Sequence, residues 1–192
     1  MNIVINNLNK AFDKKIIFSS FSYTFTENSI YVIEGDSGIG KTTLLRIIAG
    51  LDTDFDGEVL GGGIDNCSFM FQEYRLFPTA NALENVLLSR PKENRDEYEA
   101  ISLLKKLGFT EEEMYQTPDM LSGGMKQRIS FVRAVYSDRP IILLDEPTKE
   151  LDTTLADKML EMIKELAKEK TIILVSHNPT EHILDNATLI KL

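Results

Sequence analysis

Short apolar runs alternate with polar positions through the first part of the chain. Two of them, NIVINNL at 2–8 and KIIFSSFSYTF at 15–25, flank the turn-like Asp13-Lys14-Lys15 and predict an antiparallel hairpin. The apolar run SIYVIE, which ends at Gly35, predicts a further strand. KTTLLRIIAG then has the apolar spacing of a helix, with Gly50 at its C-cap position.

The rest of the chain separates into a helical part and a second part rich in strands. DTDFDGE and VLGGG predict a turn-rich connection to a strand that ends at Gln72, and from about 79 to 137 the pattern is helical. Strands follow at IILLD, TIILV and ATLIKL, with a helix over about 153–168 and a short helix after Pro179. Buried strands that alternate with amphipathic helices predict an α/β fold with a mainly parallel sheet covered on both faces.

The stretch GDSGIGKT at 35–42 fits the pattern G-x-x-x-x-G-K-[ST]. Its glycines let backbone N–H groups curve round phosphate oxygens, and a helix that starts near Lys41 directs its positive dipole end at them. Lys41 adds a full charge, and Thr42 offers a hydroxyl for Mg2+. Because this loop lies between a strand and a helix, the sequence predicts a P-loop NTPase core that binds a nucleotide.

We therefore predict a single domain over 1–192 with three parts. Residues 1–72 and 138–192 form the P-loop NTPase core with its mainly parallel sheet, together with an N-terminal antiparallel β subdomain. Residues 73–137 form an inserted helical subdomain that packs beside this core.

IILLDE at 141–146 places two carboxylates behind four apolar residues. A buried strand presents Asp145 at its C-terminal end, where ligands gather in open parallel sheets and where it can orient Mg2+ through water. Glu146, at the strand exit, is placed to act as general base on the water that attacks a γ-phosphate. Acids at strand ends are also common without a catalytic role, so this pair gains its meaning from the phosphate loop upstream.

Composition narrows the classes of partner. The 192 residues carry a formal net charge of -9, which argues against a nucleic-acid surface and against direct docking on anionic lipid. The apolar runs are strand-sized, well short of the ~20 residues of a membrane helix, and the start lacks the features of a signal peptide. We expect a cytoplasmic protein whose membrane connection runs through another protein. The single cysteine, Cys67, is expected to be a buried small side chain.

Four motifs follow one another in order: GDSGIGKTT, FQEYRLFP, LSGGMKQR and IILLDEPTKELD, with VSH behind them at 175–177. Together they resemble the ATP-binding subunits of ABC transporters over nearly the whole chain. LSGGMKQR discriminates most, because small-molecule kinases and GTPases share the first and fourth motifs but not this one. The resemblance implies an ATPase that powers solute transport, with ATP and Mg2+ as cofactors.

The resemblance also implies roles residue by residue. The catalytic residues are Glu146, Gln72, which senses the transport partner, and His177, which contacts the γ-phosphate; the metal is held by Thr42, Gln72 and Asp145. The nucleotide contacts are Phe12 on adenine, the loop residues Gly35, Asp36, Ser37, Gly38, Ile39, Gly40, Lys41, Thr42 and Thr43, the signature residues Ser122, Gly123 and Gly124 of a second copy, and Asp152 at the dimer interface. Two alternatives stay open: Phe12 as a hairpin core residue, and His177 as a satisfied polar residue at a strand end.

The implied partners are a second copy of the chain, head to tail across ATP, and integral membrane permease subunits at the inner face of the cell membrane. A substrate-binding protein is a further partner that the resemblance allows, whereas nucleic acid is not expected. The chain stops soon after ATLIKL, so we expect no substrate-sensing C-terminal module.

Four residues depart from the usual pattern. Met125 replaces a glutamine and resembles the sulfonate, taurine and nitrate importer branch. Lys149-Glu150 stand where Ser-Ala is usual, and Asp36 replaces a frequent proline.

Two other classes of function are the alternatives. A soluble ABC-type ATPase, for example in iron-sulfur cluster assembly, shares the single cassette. A phosphate-loop kinase does not explain LSGG, and a scaffold without turnover should lack the general base. The sequence leaves the transported substrate and the direction of transport open.

Overall fold

The computed structural model describes residues 1–13, 15–176 and 186–192. Its elements, in chain order, are β1 (Ile3–Phe12), β2 (Lys15–Phe25), β3 (Ile30–Glu34), α1 (Lys41–Ile48), β4 (Asp56–Leu60), β5 (Cys67–Met70), α2 (Ala82–Leu87), α3 (Glu97–Lys106), α4 (Glu111–Met114), α5 (Gly123–Tyr136), β6 (Ile141–Asp145), α6 (Thr153–Leu166), β7 (Thr171–Val175) and β8 (Ala187–Lys191). The short helix predicted after Pro179 lies outside the described residues. Within those residues, no helix has the length and apolar character needed to cross a membrane.

The N-terminal strands form a three-stranded antiparallel sheet in the order β2-β1-β4. β1 and β2 make the predicted hairpin. The prediction that DTDFDGE and VLGGG form only a turn-rich connection is wrong, because this segment contains β4, which pairs with the other side of β1. Four of the five β4 residues are exposed, so no apolar alternation marks this strand, and its conformation follows from pairing with β1. Gly57 fits this pairing, since a Cβ there would lie 2.5 Å from the carbonyl oxygen of Asn7.

The second sheet has five strands in the order β5-β6-β7-β3-β8, and every neighbouring pair is parallel. This confirms the predicted α/β fold with a mainly parallel core. β5 ends at Met70, whereas the sequence predicts a strand that reaches Gln72. Because parallel strands direct their carboxyl ends to one edge, Gly35 after β3, Gln72 after β5 and Asp145 at the end of β6 share that edge.

Two hydrophobic clusters cover the two faces of this sheet, and β6 contributes to both. Ile141 and Leu143 pack with α1 and the inner side chains of the antiparallel sheet. Ile142 and Leu144 pack with α6 and with helices α2 to α5. The helices between β5 and β6 therefore pack on one face of the sheet, while the boundaries 73 and 137 of a separate subdomain stay a prediction.

Side-chain caps fix where these helices begin. Capping boxes start α2, between Asn81 and Glu84, and α4, between Thr110 and Glu113. Ser122 caps α5, so the helix begins at the first glycine of LSGG. This places the signature glycines in the first turn of a 14-residue helix.

Candidate functional site

The loop between β3 and α1 forms a cradle at the carboxyl edge of the parallel sheet. Lys41 is only 6% exposed, and its ammonium donates to the backbone oxygens of Gly35 at 2.7 Å and Asp36 at 2.9 Å. The N-cap of α1 is Gly40, which has no side chain to satisfy the first amide groups of the helix. The cradle thus combines a cation with helix-end N–H groups, an arrangement that suits a phosphate.

The antiparallel sheet supports this cradle. Lys15, at the start of β2, donates to the backbone oxygen of Gly38 at 2.9 Å. Gly40 has φ of 123°, and a Cβ there would lie 2.4 Å from Cγ2 of Ile17, so both the backbone and the space require glycine. The sequence does not predict Lys15 and Ile17 as part of the site, because their contacts depend on how the hairpin packs against the loop.

Thr42 and Asp145 meet at the end of β6. The Thr42 hydroxyl donates to Oδ2 of Asp145 at 2.8 Å, and Asp145 is 1% exposed. Burial raises the pKa of the Asp145 carboxyl, and the hydrogen bond from Thr42 opposes that shift. A buried carboxylate beside a hydroxyl is a pair of hard oxygen donors, which a divalent cation such as Mg2+ prefers.

Glu146 follows Asp145 and has a strained backbone. Its φ is 53°, in the left-handed region that a residue before proline seldom adopts. The turn is held from α5, where the side-chain amide of Gln127 donates to the backbone oxygens of Glu146 at 2.9 Å and Pro147 at 3.1 Å. The Glu146 carboxylate pairs with Lys149 at 2.8 Å and accepts from Gln72 at 3.4 Å. Strain that the surroundings enforce is typical of functional positions.

A cleft of about 380 Å³ opens above these groups. It is lined by nine predicted site residues, Phe12, Ser37, Gly38, Gly40, Lys41, Thr42, Thr43, Gln72 and Glu146, together with Lys15, Ile17 and Val175. Phe12 is 49% exposed at the rim, so its ring is not a hairpin core residue. Its role in stacking on adenine stays a prediction.

Other predicted residues of the described chain do not border this cleft. Asp145 lies behind Thr42, and Gly35, Asp36 and Ile39 lie elsewhere in the loop. The Asp36 side chain is exposed, and its backbone oxygen accepts from Lys41. Asp152 is the N-cap of α6 and accepts from the amide of Leu155 at 3.0 Å. His177 lies outside the described residues.

The signature residues Ser122, Gly123 and Gly124 also lie away from the cleft. Oγ of Ser122 accepts from the amide of Met125 at 3.3 Å. Next to them, the hydroxyl of Tyr74 donates to Oε2 of Glu150 at 2.5 Å. This hydrogen bond to a carboxylate, with burial, raises the pKa of Tyr74 to about 12. The sequence identifies Lys149-Glu150 as unusual but gives no sign of Tyr74, because that contact joins residues far apart along the chain.

Known proteins are similar to this chain over the segment that contains these motifs. The family profile described as ABC transporter matches residues 18–149. The chain is 35% identical to the aliphatic sulfonates import ATP-binding protein SsuB of Bacillus cereus, covering 95% of this chain and 78% of that protein. It is 35% identical to the L-cystine import ATP-binding protein TcyC of Bacillus subtilis, covering 91% of this chain and 80% of that protein.

A solved structure extends the comparison to three dimensions. It is a dimeric, post-hydrolysis state of the ATP-binding cassette MJ0796 bound to ADP and Pi, with a TM-score of 0.83 and 30% identity. The match covers 93% of this chain and 89% of that chain. Since the family profile, the relatives and the fold agree with the cradle, the buried acid and the signature helix, this chain belongs to the ABC transporter family and is one of its ATP-binding, ATP-hydrolysing cassettes.

Proposed function

We propose that two copies of this chain bind Mg-ATP between them, head to tail, and that hydrolysis drives solute import through a membrane permease. One observation carries the proposal: Ser122, Gly123 and Gly124 do not line the cleft that contains Lys41 and Glu146, although the cleft and the signature both have features that bind phosphate. A second copy can bring its signature helix to the open side of the cleft. The dimeric state of MJ0796 supports this arrangement.

Mg2+ fits the residues at the end of β6. Thr42 and Asp145 offer oxygen donors, and Gln72, which lines the cleft, has an amide oxygen as a third donor atom. The described residues contain no group of three or more His, Cys, Asp or Glu side chains that could hold a metal ion. Mg2+ needs no such group, because it typically takes one or two carboxylates, phosphate oxygens and water. When bound, it neutralises charge on the transferred phosphoryl group.

Glu146 is the proposed general base. Its carboxylate borders the cleft, where it can accept a proton from the water that attacks the γ-phosphate. Gln72 contacts the same carboxylate and is placed to orient that water. Lys41 and the first amide groups of α1 hold the phosphates in line. His177 keeps its proposed contact with the γ-phosphate.

The strap, residues 73–78 after Gln72, is the proposed link to the permease. Arg133 of α5 donates to its backbone oxygens at Arg75, at 2.6 Å, and Tyr74, at 3.0 Å. Within the strap, the backbone of Phe77 is held by Asn85, and the Phe77 side chain is 52% exposed. An exposed aromatic ring on a well-anchored backbone suits a protein contact. Permease subunits would thereby hold the chain at the inner face of the cell membrane.

Import is proposed because the relatives compared above are named as import ATP-binding proteins. Their names give different solutes, aliphatic sulfonates and L-cystine, at the same 35% identity to this chain. Similarity of the cassette therefore does not assign a solute. We propose that the permease and a substrate-binding protein select it.

The proposed roles are tested with Glu146→Gln. The amide keeps the shape of the carboxylate but does not accept a proton as a base, so we expect hydrolysis to stop while ATP binding remains and an ATP-bound dimer accumulates. Phosphate release, ATP binding and analytical ultracentrifugation measure the three properties. Glu161→Gln, at an exposed position of α6, makes the same chemical change as a control. Hydrolysis at the wild-type rate by Glu146→Gln would refute the role of Glu146.

The transport role needs a separate test. We expect the wild-type chain, tagged and isolated after gentle solubilisation of membranes, to copurify with integral membrane permease subunits. Recovery without any membrane protein would favour the soluble ATPase alternative.

A further inference from the structure

The charged pair Lys149-Glu150 makes contacts with both halves of the proposed site. The Lys149 ammonium pairs with the Glu146 carboxylate at 2.8 Å. Glu150 extends the other way and accepts from the hydroxyl of Tyr74 in the strap. Within one chain, two neighbouring side chains thus connect the hydrolytic residue Glu146 with the surroundings of the signature.

Glu150 covers the signature glycines. A Cβ added to Gly123 would lie 2.4 Å from Oε2 of Glu150 and 3.1 Å from the hydroxyl of Tyr74. A Cβ added to Gly124 would lie 3.0 Å from the backbone oxygen of Glu150. These distances place a carboxylate, held by a tyrosine, directly against the first turn of α5. The positive end of the helix dipole favours an anion at this place.

We infer that Glu150, held by Tyr74, is an autoinhibitory residue that covers the signature of the single chain until ATP on a second copy displaces it. The inference rests on the proposed function, in which the same glycines receive the γ-phosphate of the nucleotide held by that copy. A phosphate that reaches Gly123 meets the carboxylate of Glu150. Since both groups are anionic, they repel each other, and closure of the dimer requires Glu150 to leave.

Tyr74 connects this contact to the permease-facing strap. Its backbone oxygen accepts from Ser130 and Arg133 of α5, while its side chain holds Glu150. A shift of the strap therefore changes the position of the hydroxyl to which Glu150 is bound. Movement of the strap by a permease would release the signature, so unproductive hydrolysis by free cassettes is kept low.

The test measures ATP-dependent dimerisation in the Glu146→Gln background, which prevents hydrolysis. Glu150→Ala removes the covering side chain, and Glu150→Gln keeps its size and a bond to Tyr74 but not its charge. A closed dimer contains two such contacts, so an increase of about threefold in the open fraction of each chain lowers the dimer Kd about ninefold. By analytical ultracentrifugation with Mg-ATP, we expect this shift for Glu150→Ala and a smaller decrease of the Kd for Glu150→Gln, which removes the repulsion but keeps the cover.

Tyr74→Phe tests the bond that holds the carboxylate. Alone it should lower the dimer Kd by about threefold, and combined with Glu150→Ala it should add nothing, because both changes break one contact. Glu161→Ala makes the same change in net charge at an exposed position of α6 and should leave the Kd unchanged. Equal thermal midpoints across the set show that folding is preserved.

An unchanged or raised Kd for Glu150→Ala overturns the inference, as does an equal decrease for Glu161→Ala or a failure of every variant to dimerise. ATP binding to the single chain, measured at low protein concentration, separates this outcome from failure of the proposed function. If the chain binds ATP and Glu146→Gln dimerises with it, an unchanged Kd for Glu150→Ala leaves the proposed function standing without the autoinhibitory contact. If ATP binding or ATP-dependent dimerisation is absent, both fail.

Discussion

Gln127 offers the sharpest test of how the fold holds the hydrolytic site. It is 2% exposed, and its side-chain amide donates to the backbone oxygens of Glu146 and Pro147. Gln127→Met keeps the length of the side chain but removes the donor. We expect a lower free energy of unfolding and a lower kcat, two effects that separate measurements distinguish.

The two effects have different structural origins. Leaving buried carbonyl groups without this donor should lower the free energy of unfolding by about 2 kcal/mol, a decrease in Tm of roughly 4–8 °C for a chain of this size. The left-handed backbone of Glu146 costs about 1–3 kcal/mol and persists only while its surroundings enforce it. When it relaxes, the carboxylate moves, and kcat should fall about tenfold. KM for ATP should stay unchanged, because the cradle around Lys41 is untouched.

Urea unfolding and steady-state ATPase kinetics measure these quantities. Lys126→Met, one position earlier on α5, is the control for introducing methionine into the same helix. Wild-type stability and wild-type kcat in Gln127→Met would show that the hydrogen bonds from α5 do not maintain the Glu146 turn. An equal loss in the Lys126→Met control would show a general effect on the helix instead.

Two further outcomes are expected. Asp145→Asn should stabilise the nucleotide-free chain at pH 7 while it weakens Mg2+-dependent hydrolysis, because burial raises the pKa of this carboxyl above its unfolded value and its ionisation therefore penalises the folded state as pH rises. In thermal melts the advantage of Asn should disappear near pH 4, and equal Tm values of wild type and variant at pH 7 would contradict the prediction. Cys67 should resist iodoacetamide at pH 8 in the folded protein and react quickly in urea, as followed by mass spectrometry, because burial raises the pKa of its thiol to about 12; rapid labelling of the native chain would contradict this.

Much of the fold is visible in local patterns. The alternation in β1 and β2, and the order of strand, glycine loop and helix from β3 to α1, predict the elements that the structure contains. β4 could not be predicted, because its residues DGEVL are mostly exposed and only β1 gives them a partner. The strand before Gln72 is shorter than its apolar residues suggest, because pairing with β6 ends at Met70.

The site divides in a similar way. Asp145 and Glu146 could be placed because the end of a buried parallel strand has a known position in the sheet. The contacts of Lys15 with Gly38 and of Glu150 with Tyr74 could not, because each joins segments that meet only after the sheets and helices have packed. Tertiary packing therefore determines which residues support the site, whereas the motifs identify only the residues expected to act on the nucleotide.

The polar stripe on α5 has a mechanical consequence. Along one side of this helix, polar residues recur at every third position: Gln127, Ser130 and Arg133. Gln127 donates a hydrogen bond to the Glu146 turn, and the other two donate to the backbone of the strap. A rigid rod of 14 residues, about 21 Å long, cannot turn at one end alone. We expect α5 to act as a lever that transmits a displacement of the strap backbone to the Glu146 turn.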